Sequence, residues 1–348
     1  MPEKKKKMLN QSPQKNFNSS FAQDIVSLLV GSKGGHLDPY LYSDPMYTGD
    51  PVKGAILLAE FQNSPNYYLY KGETYLLTKF GQRIANVLGK QVTLIDYGPG
   101  PSESFMRKTL PLLQALIEPQ GYIAIDLCMS YAESAVENCR KHFPNLPANY
   151  LIKDFYDREV DCGKYDNPVI YFLGNSISNL HHKSSGEDST LGANAMEQNA
   201  LTIERLGIIH QQLGKGGFLV ISQDANQNEA SMMKAYASKN GTDFVLNVLH
   251  RIKRDLELID FEPNAFDPLI QWDDNTYCLS IYAVSQKRQT IRIAEKDYVI
   301  EANQKLHISN SHKYPVSFFQ QMAKAAGFTP IEFFLDQQDN MAIHVLIS

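Results

Sequence analysis

Short apolar runs alternate with amphipathic segments through the middle of the chain. Residues 92–97 form an apolar run that ends at a glycine, and apolar positions with helical spacing follow at 103–116. The same pattern recurs at 122–126 and 129–142, where Pro144 ends the helix. Strands that alternate with helices in this way predict a parallel sheet covered by helices.

Further strands extend this sheet. Residues 149–154 and 168–173 are strand candidates, and the second is almost wholly apolar, as a strand buried on both faces must be. A long helix predicted at 193–212 leads through the glycine-rich turn 213–217 into a strand at 218–222. The alternation therefore continues to the end of this strand.

The C-terminal segment changes the pattern. A helix at 318–326 precedes strands at 331–335 and 341–347, which are close enough in sequence to form a hairpin. A parallel sheet that ends in an antiparallel pair is typical, by analogy, of Rossmann-like methyltransferases. The predicted fold class is therefore α/β, a class I methyltransferase sheet with a C-terminal antiparallel hairpin.

Two regions, 1–70 and 227–314, lack the alternation. The second holds two strand-like segments, 276–284 and 290–299, separated by a polar turn, and it predicts an inserted α+β domain that covers the substrate site. The predicted division is a cofactor-binding methyltransferase domain at 71–226 and 315–348, a substrate-binding domain at 18–70 and 227–314, and a flexible tail at 1–17.

Composition narrows the class of protein. The 348 residues are 43% hydrophobic and 20% charged with a formal net charge of -5, which is typical of a globular protein and does not favour a nucleic-acid partner. The one dense basic run, Lys4 to Lys7, lies in the predicted tail. No segment approaches the roughly 20 apolar residues of a spanning helix, so no membrane partner is expected. The protein is expected to be a cytoplasmic monomer.

Cysteine and histidine spacing does not indicate a metal site. The four cysteines are widely separated without a CxxC pair, as expected for incidental thiols in a reducing compartment. His181 and His182 are adjacent, but neither they nor the other histidines show i, i+4 spacing with a carboxylate partner. No bound metal is predicted.

The segment after the first predicted strand has the features of a cofactor site. Asp96 is followed by Gly98 and Gly100, which places a carboxylate and exposed backbone N–H groups at the carboxyl edge of the sheet. A phosphate-binding loop is absent, and the dinucleotide fingerprint fails because Glu103 occupies its third glycine position. A ligand with a sulfonium and an amino-acid end fits better, since Asp96 suits its ammonium group.

Two later strands supply the rest of this cofactor site. Asp126 ends the second strand, where its carboxylate can accept hydrogen bonds from ribose hydroxyls, and Asp154 with Phe155 follows the third strand, where the adenine is expected. Together these features predict S-adenosylmethionine as the cofactor. Its predicted binding residues are Asp96, Tyr97, Gly98, Gly100, Ser102, Asp126, Asp154 and Phe155.

Three segments, 65–68, 172–180 and 309–314, carry a more specific resemblance. They read Pro-Asn-Tyr-Tyr, Phe-Leu-Gly-Asn-Ser-Ile-Ser-Asn-Leu and Ser-Asn-Ser-His-Lys-Tyr. The chain resembles the histidine Nα-methyltransferases of ergothioneine biosynthesis, which read Pro-Glu-Tyr-Tyr, Phe-Leu-Gly-Ser-x-Ile-Gly-Asn-Leu and Glu-x-Ser-x-Lys-[Phe/Tyr]. The resemblance extends from about residue 47 to the end of the chain.

The resemblance implies a site for a free amino acid. Tyr67, Gly174, Asn179 and Tyr236 would surround the amino-acid end of the substrate, with Asn179 and Tyr236 donating hydrogen bonds to its carboxylate. Tyr67, Asn179 and Tyr236 are accordingly the predicted catalytic residues. The resemblance also assigns substrate contacts to Tyr47, Leu279, Ser309 and Ser311.

The side-chain pocket departs from the family pattern. Ser309 replaces the glutamate that, with the serine two residues later, binds the imidazole of histidine, and Leu279 is near the position of a family methionine. Loss of a charged hydrogen bond costs about 1.5–3 kcal/mol, or roughly tenfold to more than a hundredfold in discrimination. The expected substrate is therefore histidine or a related aromatic or modified amino acid, with its identity open.

Methyl transfer requires a neutral amine in line with the sulfonium methyl group. The substrate ammonium must first lose a proton, and both Tyr67 and Asp224 are candidates for its relay. Two other classes of function remain open from the sequence. A non-catalytic sensor of amino acid and cofactor would keep the pocket, whereas an NAD-dependent oxidoreductase would require the third loop glycine that this chain lacks.

Overall fold

The computed structural model describes residues 13–41, 53–180, 195–336 and 340–348. The strands in these residues are β1 (Thr93–Tyr97), β2 (Gly121–Asp126), β3 (Ala148–Ile152), β4 (Pro168–Phe172), β5 (Phe218–Asp224), β6 (Phe266–Asp273), β7 (Cys278–Ser285), β8 (Gln289–Ile293), β9 (Lys296–Ile300), β10 (Lys305–His312), β11 (Thr329–Leu335) and β12 (Met341–Ile347).

The helices in the same residues are α1 (Pro13–Leu29), α2 (Asp38–Leu41), α3 (Lys53–Gln62), α4 (Tyr68–Leu88), α5 (Ser102–Ser104), α6 (Leu110–Ala115), α7 (Met129–His142), α8 (Ala195–Gln198), α9 (Ala200–Leu213), α10 (Glu229–Tyr236), α11 (Lys239–Asp255) and α12 (Val316–Ala325). A π-helical segment, Phe105–Thr109, joins α5 to α6, and short 3-10 helices occupy Ser176–Asn179 and Pro263–Ala265. In the part of the chain described, no helix is long and apolar enough to cross a membrane.

The large sheet has seven strands in the order β3-β2-β1-β4-β5-β12-β11. Strands β1 to β5 are parallel, β12 runs antiparallel to β5, and β11 runs antiparallel to β12. The predicted α/β sheet with its C-terminal hairpin is confirmed. The chain reverses its direction of winding between β1 and β4, and the carboxyl ends of strands at such a point form the usual ligand crevice of an open α/β sheet.

Alternate residues of each central strand enter two separate cores. Leu94 of β1 belongs to the core that also contains α4, α6 and α11, whereas Ile95 and Tyr97 belong to the core under α9 and α12. Successive side chains on a strand point to opposite faces of a sheet. Asp96 and Tyr97, adjacent in sequence, therefore serve opposite sides of the sheet.

Two sequence predictions about helices need correction. The helix predicted at 193–212 is interrupted at Asn199, between α8 and α9, and residues 193 and 194 lie outside the described part. The Asn199 side chain donates to the Ala195 carbonyl and accepts from the Tyr314 hydroxyl, both at 2.8 Å, so it serves as a tertiary anchor at the break. The predicted tail at 1–17 is also too long, because α1 begins at Pro13.

A second, three-stranded sheet has the order β10-β7-β6, and β8 pairs with β9 beside it. The single strand predicted at 290–299 is wrong: this segment is the β8–β9 hairpin. Ala294 and Glu295 between the two strands have φ of 48° and 64°, the left-handed values of a tight hairpin turn. Neither residue type favours that conformation, so the turn carried no sequence signal.

Candidate active site

The loop after β1 requires glycine for its backbone conformation. Gly98 and Gly100 have φ of 67° and 68°, which residues with a Cβ rarely adopt. Space is not the constraint, since a Cβ on Gly98 would lie 3.7 Å from its nearest neighbour, a ring carbon of Phe155. The Gly98 N–H donates to the Ile125 carbonyl at 2.9 Å, which fixes the loop against β2.

Asp126 lies beside this loop at the carboxyl end of β2. Its Oδ1 accepts the Cys128 N–H at 2.8 Å. Burial raises the pKa of Asp126 to about 6, while the backbone N–H groups of Cys128, Gly100 and Leu127 oppose that shift. The structure thus brings Gly98, Gly100 and Asp126 together. Ser102 begins α5 nearby, and its hydroxyl accepts from Asn138 at 2.9 Å.

Phe155, in the loop after β3, stacks on the ring of Tyr97 at the end of β1. Their ring centroids are 5.8 Å apart and their planes differ by 23°. The Tyr97 side chain is buried, and its hydroxyl donates to Gln212 at 3.0 Å, so Tyr97 can reach a ligand only through its backbone. Asp154 is exposed and accepts the Tyr156 N–H at 2.8 Å, which stabilises the turn that carries Phe155.

Asp96 is buried under the glycine loop. Its Oδ2 accepts hydrogen bonds from the hydroxyls of Thr109, at 2.8 Å, and Tyr122, at 2.9 Å. Burial raises the pKa of Asp96 to about 6, and the two hydroxyls and the nearby Lys108 ammonium oppose the shift. Thr109 and Lys108 both belong to the π-helical segment, whose wider turn places them on the inner side of the helix.

A buried ion pair connects this region to the carboxyl end of β4. Lys108 lies 3.3 Å from Oε2 of Glu73, and Oε1 of Glu73 accepts the Gly174 N–H at 2.7 Å and the Ser222 hydroxyl. Gly174 is itself exposed, with φ of 83°. Sequence reasoning found Gly174 but missed Glu73 and Lys108, which carry no motif of their own.

The centre of the site is a polar network around Lys313, whose side chain is fully buried. Its ammonium nitrogen donates at 2.7 Å to each of three oxygens: Oδ2 of Asp224, the Tyr236 hydroxyl and the Ser311 hydroxyl. The Tyr68 hydroxyl also donates to Oδ2 of Asp224, at 2.8 Å. All three N–H groups of the ammonium are therefore used by the protein.

The charges of this network are set by burial and by one another. Burial would by itself lower the pKa of Lys313, but the adjacent Asp224 carboxylate and Tyr236 together outweigh that effect and the pKa is raised. Burial raises the pKa of Asp224, and Lys313 opposes the rise. The pKa of Tyr68 is raised well above its ordinary value, first by burial and then by the Asp224 charge. Lys313 is accordingly a permanent cation in the site.

Lys313 determines which way two hydroxyl groups point. An ammonium only donates, so the oxygens of Tyr236 and Ser311 both accept from it. The two hydroxyls are 3.2 Å apart, and one of them can donate to the other. At least one hydroxyl proton then remains for a third acceptor. The arrangement is a ready hydrogen-bond donor for an anion, held beside a cation that is already paired.

The other predicted substrate residues border this network. The Tyr67 ring lies 6.1 Å from the Tyr236 ring, centroid to centroid, and 4.3 Å from that of Phe61. Asn179 is half-buried at the end of the 3-10 helix Ser176–Asn179. The next residue, Leu180, accepts a hydrogen bond from His312 at 3.1 Å, which ties this segment to β10.

Ser309, Ser311 and Leu279 line the inner face of the small sheet. Ser311 pairs with Leu279 across β10 and β7, and Leu279 is fully buried. The Ser309 hydroxyl donates to Oδ1 of Asp38 at 2.6 Å. Tyr47 lies outside the described residues. His181 and His182 do too, and the described residues contain no group of three acidic, histidine or cysteine side chains placed to hold a metal.

Comparisons with known proteins identify the family of the chain. Residues 21–348 match the family model described as histidine-specific methyltransferase, SAM-dependent. The chain is 24% identical over 306 residues to a histidine N-alpha-methyltransferase of Mycobacterium tuberculosis, covering 86% of this chain and 88% of that protein. It is 22% identical over 300 residues to the N-methyltransferase imqF of Aspergillus flavus, covering 82% and 76%.

Among solved structures, an S-adenosylmethionine-dependent methyltransferase from Clostridium acetobutylicum is 8% identical, with a TM-score of 0.42, covering 83% of this chain and 97% of that one. The family match spans most of the chain, including the glycine loop and the Lys313 network. The protein is an S-adenosylmethionine-dependent N-methyltransferase, and it belongs to the histidine-specific methyltransferase family.

Proposed function

We propose that this enzyme methylates the α-amino group of a free amino acid. The observation that carries the proposal is the Lys313 network, in which Tyr236 and Ser311 are held as donors. A substrate carboxylate needs such donors, and they bind it without adding an unpaired cation next to the sulfonium. Asn179 supplies a further amide donor, and Tyr67 and the exposed Gly174 border the same space.

The described residues fit the cofactor. The left-handed Gly98 and Gly100 keep side chains away from the carboxyl edge of β1, Asp126 offers a carboxylate to ribose hydroxyls, and Phe155 offers a ring face to the adenine. Both hydrogen bonds to Asp96 fall on Oδ2. We therefore assign Oδ1 of Asp96 to the ammonium group of the cofactor.

We propose the same division of the chain that the sequence predicts. Residues 71–226 and 315–348 hold the seven-stranded sheet and the cofactor residues, while 18–70 and 227–314 supply Tyr67, Tyr236 and the small sheet. The Lys313 network then lies where the two parts meet, since Asp224 ends β5 of the large sheet.

When bound, S-adenosylmethionine supplies a methyl group on a positively charged sulfur. The residues of this chain orient the methyl acceptor. Tyr236, Ser311 and Asn179 donate hydrogen bonds to the carboxylate of the amino acid and hold it so that its nitrogen faces the cofactor site. Asp224 already accepts hydrogen bonds from Tyr68, Lys313 and the Asn226 N–H, so both of its oxygens are engaged in holding the network together. Of the two candidates for the proton relay, we therefore favour Tyr67.

The proposal is tested by incubating the protein with S-adenosylmethionine and the twenty amino acids in pools, and by following products heavier by one, two or three methyl groups with mass spectrometry. Wild type is expected to methylate at least one amino acid. Absence of product in every pool would contradict the proposal and favour a sensor.

Tyr236→Phe then tests the carboxylate site. Loss of a hydrogen bond to a charged group costs about 1.5–3 kcal/mol, so the KM for the amino acid is expected to rise roughly tenfold to a hundredfold. The cofactor affinity, measured by calorimetry, should stay within about twofold. Tyr298→Phe, in the β8–β9 hairpin, is the matched control. An unchanged KM in Tyr236→Phe would refute the assignment of the donor.

A further inference from the structure

Asp38 lies next to the proposed substrate site, in contact with Ser309. The sequence alone predicts no acidic side chain there. Its Oδ1 accepts the Ser309 hydroxyl at 2.6 Å, but its Oδ2 is buried and has no hydrogen-bond partner among the residues that the structure describes. The residue as a whole is only 8% exposed. Buried carboxylate oxygens are nearly always hydrogen-bonded, so an unpartnered one next to a binding site indicates a missing donor.

The chain holds Asp38 in this position through its backbone. The N–H groups of Gly35 and Leu37 donate to the carbonyls of His307 and Ile308, at 2.8 and 3.0 Å. The pairing register of β10 shifts between His307 and Ser309, and this irregularity turns Ser309 to the inner face of the sheet. Asp38 and Ser309 are therefore brought together by main-chain contacts, independently of their own hydrogen bond.

A second contact restrains the short helix that begins at Asp38. Arg251 of α11 donates to the Tyr40 carbonyl at 3.0 Å, and the Tyr40 hydroxyl donates to Asp24 of α1 at 2.8 Å. The carboxylate is thus carried on a segment anchored to three different elements.

Asp38 lies at one end of a row of polar groups along β10. Ser309 and Ser311 are two residues apart on the same face, which places them about 7 Å from each other. Ser311 contacts Tyr236 and Lys313 at the end proposed for the substrate carboxylate. An amino acid bound there can extend its side chain along this face toward Asp38.

We propose that Oδ2 of Asp38 accepts a hydrogen bond from an N–H donor on the side chain of the substrate. This inference rests on the proposed function and makes Asp38 a determinant of its side-chain specificity, favouring amino acids whose side chain carries an N–H group. Asp38 supplies, from another part of the chain, a carboxyl group that position 309 lacks. Burial raises the pKa of Asp38 to about 8, and the Ser309 hydroxyl opposes that rise. A second donor at Oδ2, supplied by the substrate, favours the charged form of the carboxyl in the same way.

The test compares Asp38→Asn with wild type on three probes: L-histidine and L-tryptophan, whose rings carry an N–H group, and L-phenylalanine, whose ring does not. Asn keeps the shape of Asp38 and an acceptor for Ser309, but it places an NH2 donor where Oδ2 would accept. We expect kcat/KM for the N–H substrate that wild type uses to fall about tenfold to a hundredfold. Activity with phenylalanine should change less than about threefold.

Asp267→Asn, an exposed change on β6, is the control and should leave both activities unaltered. Ser309→Ala is the second variant if Asp38→Asn does not fold. It removes the partner of Oδ1 and should cause a smaller loss with the same preference for N–H substrates.

The outcomes separate the two proposals. Wild type that methylates phenylalanine at least as well as either N–H substrate, or an Asp38→Asn variant that loses activity equally on all three probes, would overturn the role of Asp38 and leave amino-acid methylation intact. No methylation of any amino acid would overturn the proposed function itself, and the Asp38 assignment with it.

Discussion

Replacing Lys313 with methionine is expected to destabilise the protein by about 3–5 kcal/mol, because it leaves a buried carboxylate without its cation. In the variant, Asp224 keeps the hydrogen bonds from the Tyr68 hydroxyl and the Asn226 N–H but loses the ammonium at 2.7 Å. The Coulomb attraction between Lys313 and Asp224 at this distance is stronger than the two hydrogen bonds that remain from neutral donors. Methionine fills a similar volume, so packing contributes little to the loss.

The loss should grow with pH. Burial already raises the pKa of Asp224, and removal of Lys313 raises it further. A carboxyl whose pKa is higher in the folded state holds more protons when folded, so stability falls as pH rises from its unfolded value toward its folded one, by up to about 1.4 kcal/mol per pH unit. Lys313→Met is therefore expected to lose more stability at pH 8 than at pH 5, each compared with wild type at the same pH.

The assay is equilibrium urea unfolding, followed by circular dichroism and by the fluorescence of Trp272, the single tryptophan. Asp224→Asn and the double variant complete a mutant cycle. The double variant, in which a neutral amide replaces the stranded charge, is expected to regain most of the stability that Lys313→Met loses. Lys305→Met, an exposed change on β10, is the matched control and should stay within about 0.5 kcal/mol of wild type.

A loss below about 1 kcal/mol in Lys313→Met, or a double variant no more stable than it, would contradict a strong charge interaction between Lys313 and Asp224. Asp224 would then not be held as an anion by Lys313. Lys313 would then also not hold the Tyr236 and Ser311 hydroxyls as donors, because only a charged ammonium restricts both of them to accepting from it.

Two further predictions concern the cofactor and the core. Asp126→Asn should weaken S-adenosylmethionine binding roughly tenfold to a hundredfold in calorimetry, since it removes charged acceptors for the ribose hydroxyls. The control Asp161→Asn, an exposed change, should not weaken it. Equal affinity in the two variants would contradict the assignment of Asp126 to the ribose. His344 is fully buried against Phe319, and burial lowers its pKa to about 3. Below about pH 6.5 the unfolded chain binds a proton at His344 that the folded chain does not. The free energy of unfolding therefore decreases as the pH is lowered, by about 1.4 kcal/mol at pH 5.5. His344→Phe should lose that part of the pH dependence in unfolding experiments at pH 7.5 and 5.5, and an unaltered slope would show that His344 does not cause it.

The glycine turn after β1 and the position of Asp126 at the end of β2 were predictable because their signals are local. Gly98 and Gly100 are required by backbone conformation, and Asp126 follows an apolar run that can only be a buried strand. Each feature depends on a few neighbouring residues, so the sequence displays it directly. The β8–β9 turn shows the limit of that rule, because Ala294 and Glu295 adopt left-handed conformations that their residue types do not announce.

Local sequence patterns were sufficient to predict the parallel sheet with its C-terminal hairpin, the glycine loop and the kind of cofactor, since alternating apolarity and glycine positions encode burial and backbone geometry over short spans. Which charged groups lie next to each other became evident only from the folded chain. Asp38 and Ser309 are 271 residues apart in the chain, and Lys313 is 77 residues from Tyr236. An ionic or polar contact depends on where distant segments cross, and no local pattern encodes that crossing. For this reason the sequence shows a serine at position 309 in place of a carboxylate, whereas the folded chain brings the carboxyl group of Asp38 to within 2.6 Å of that serine.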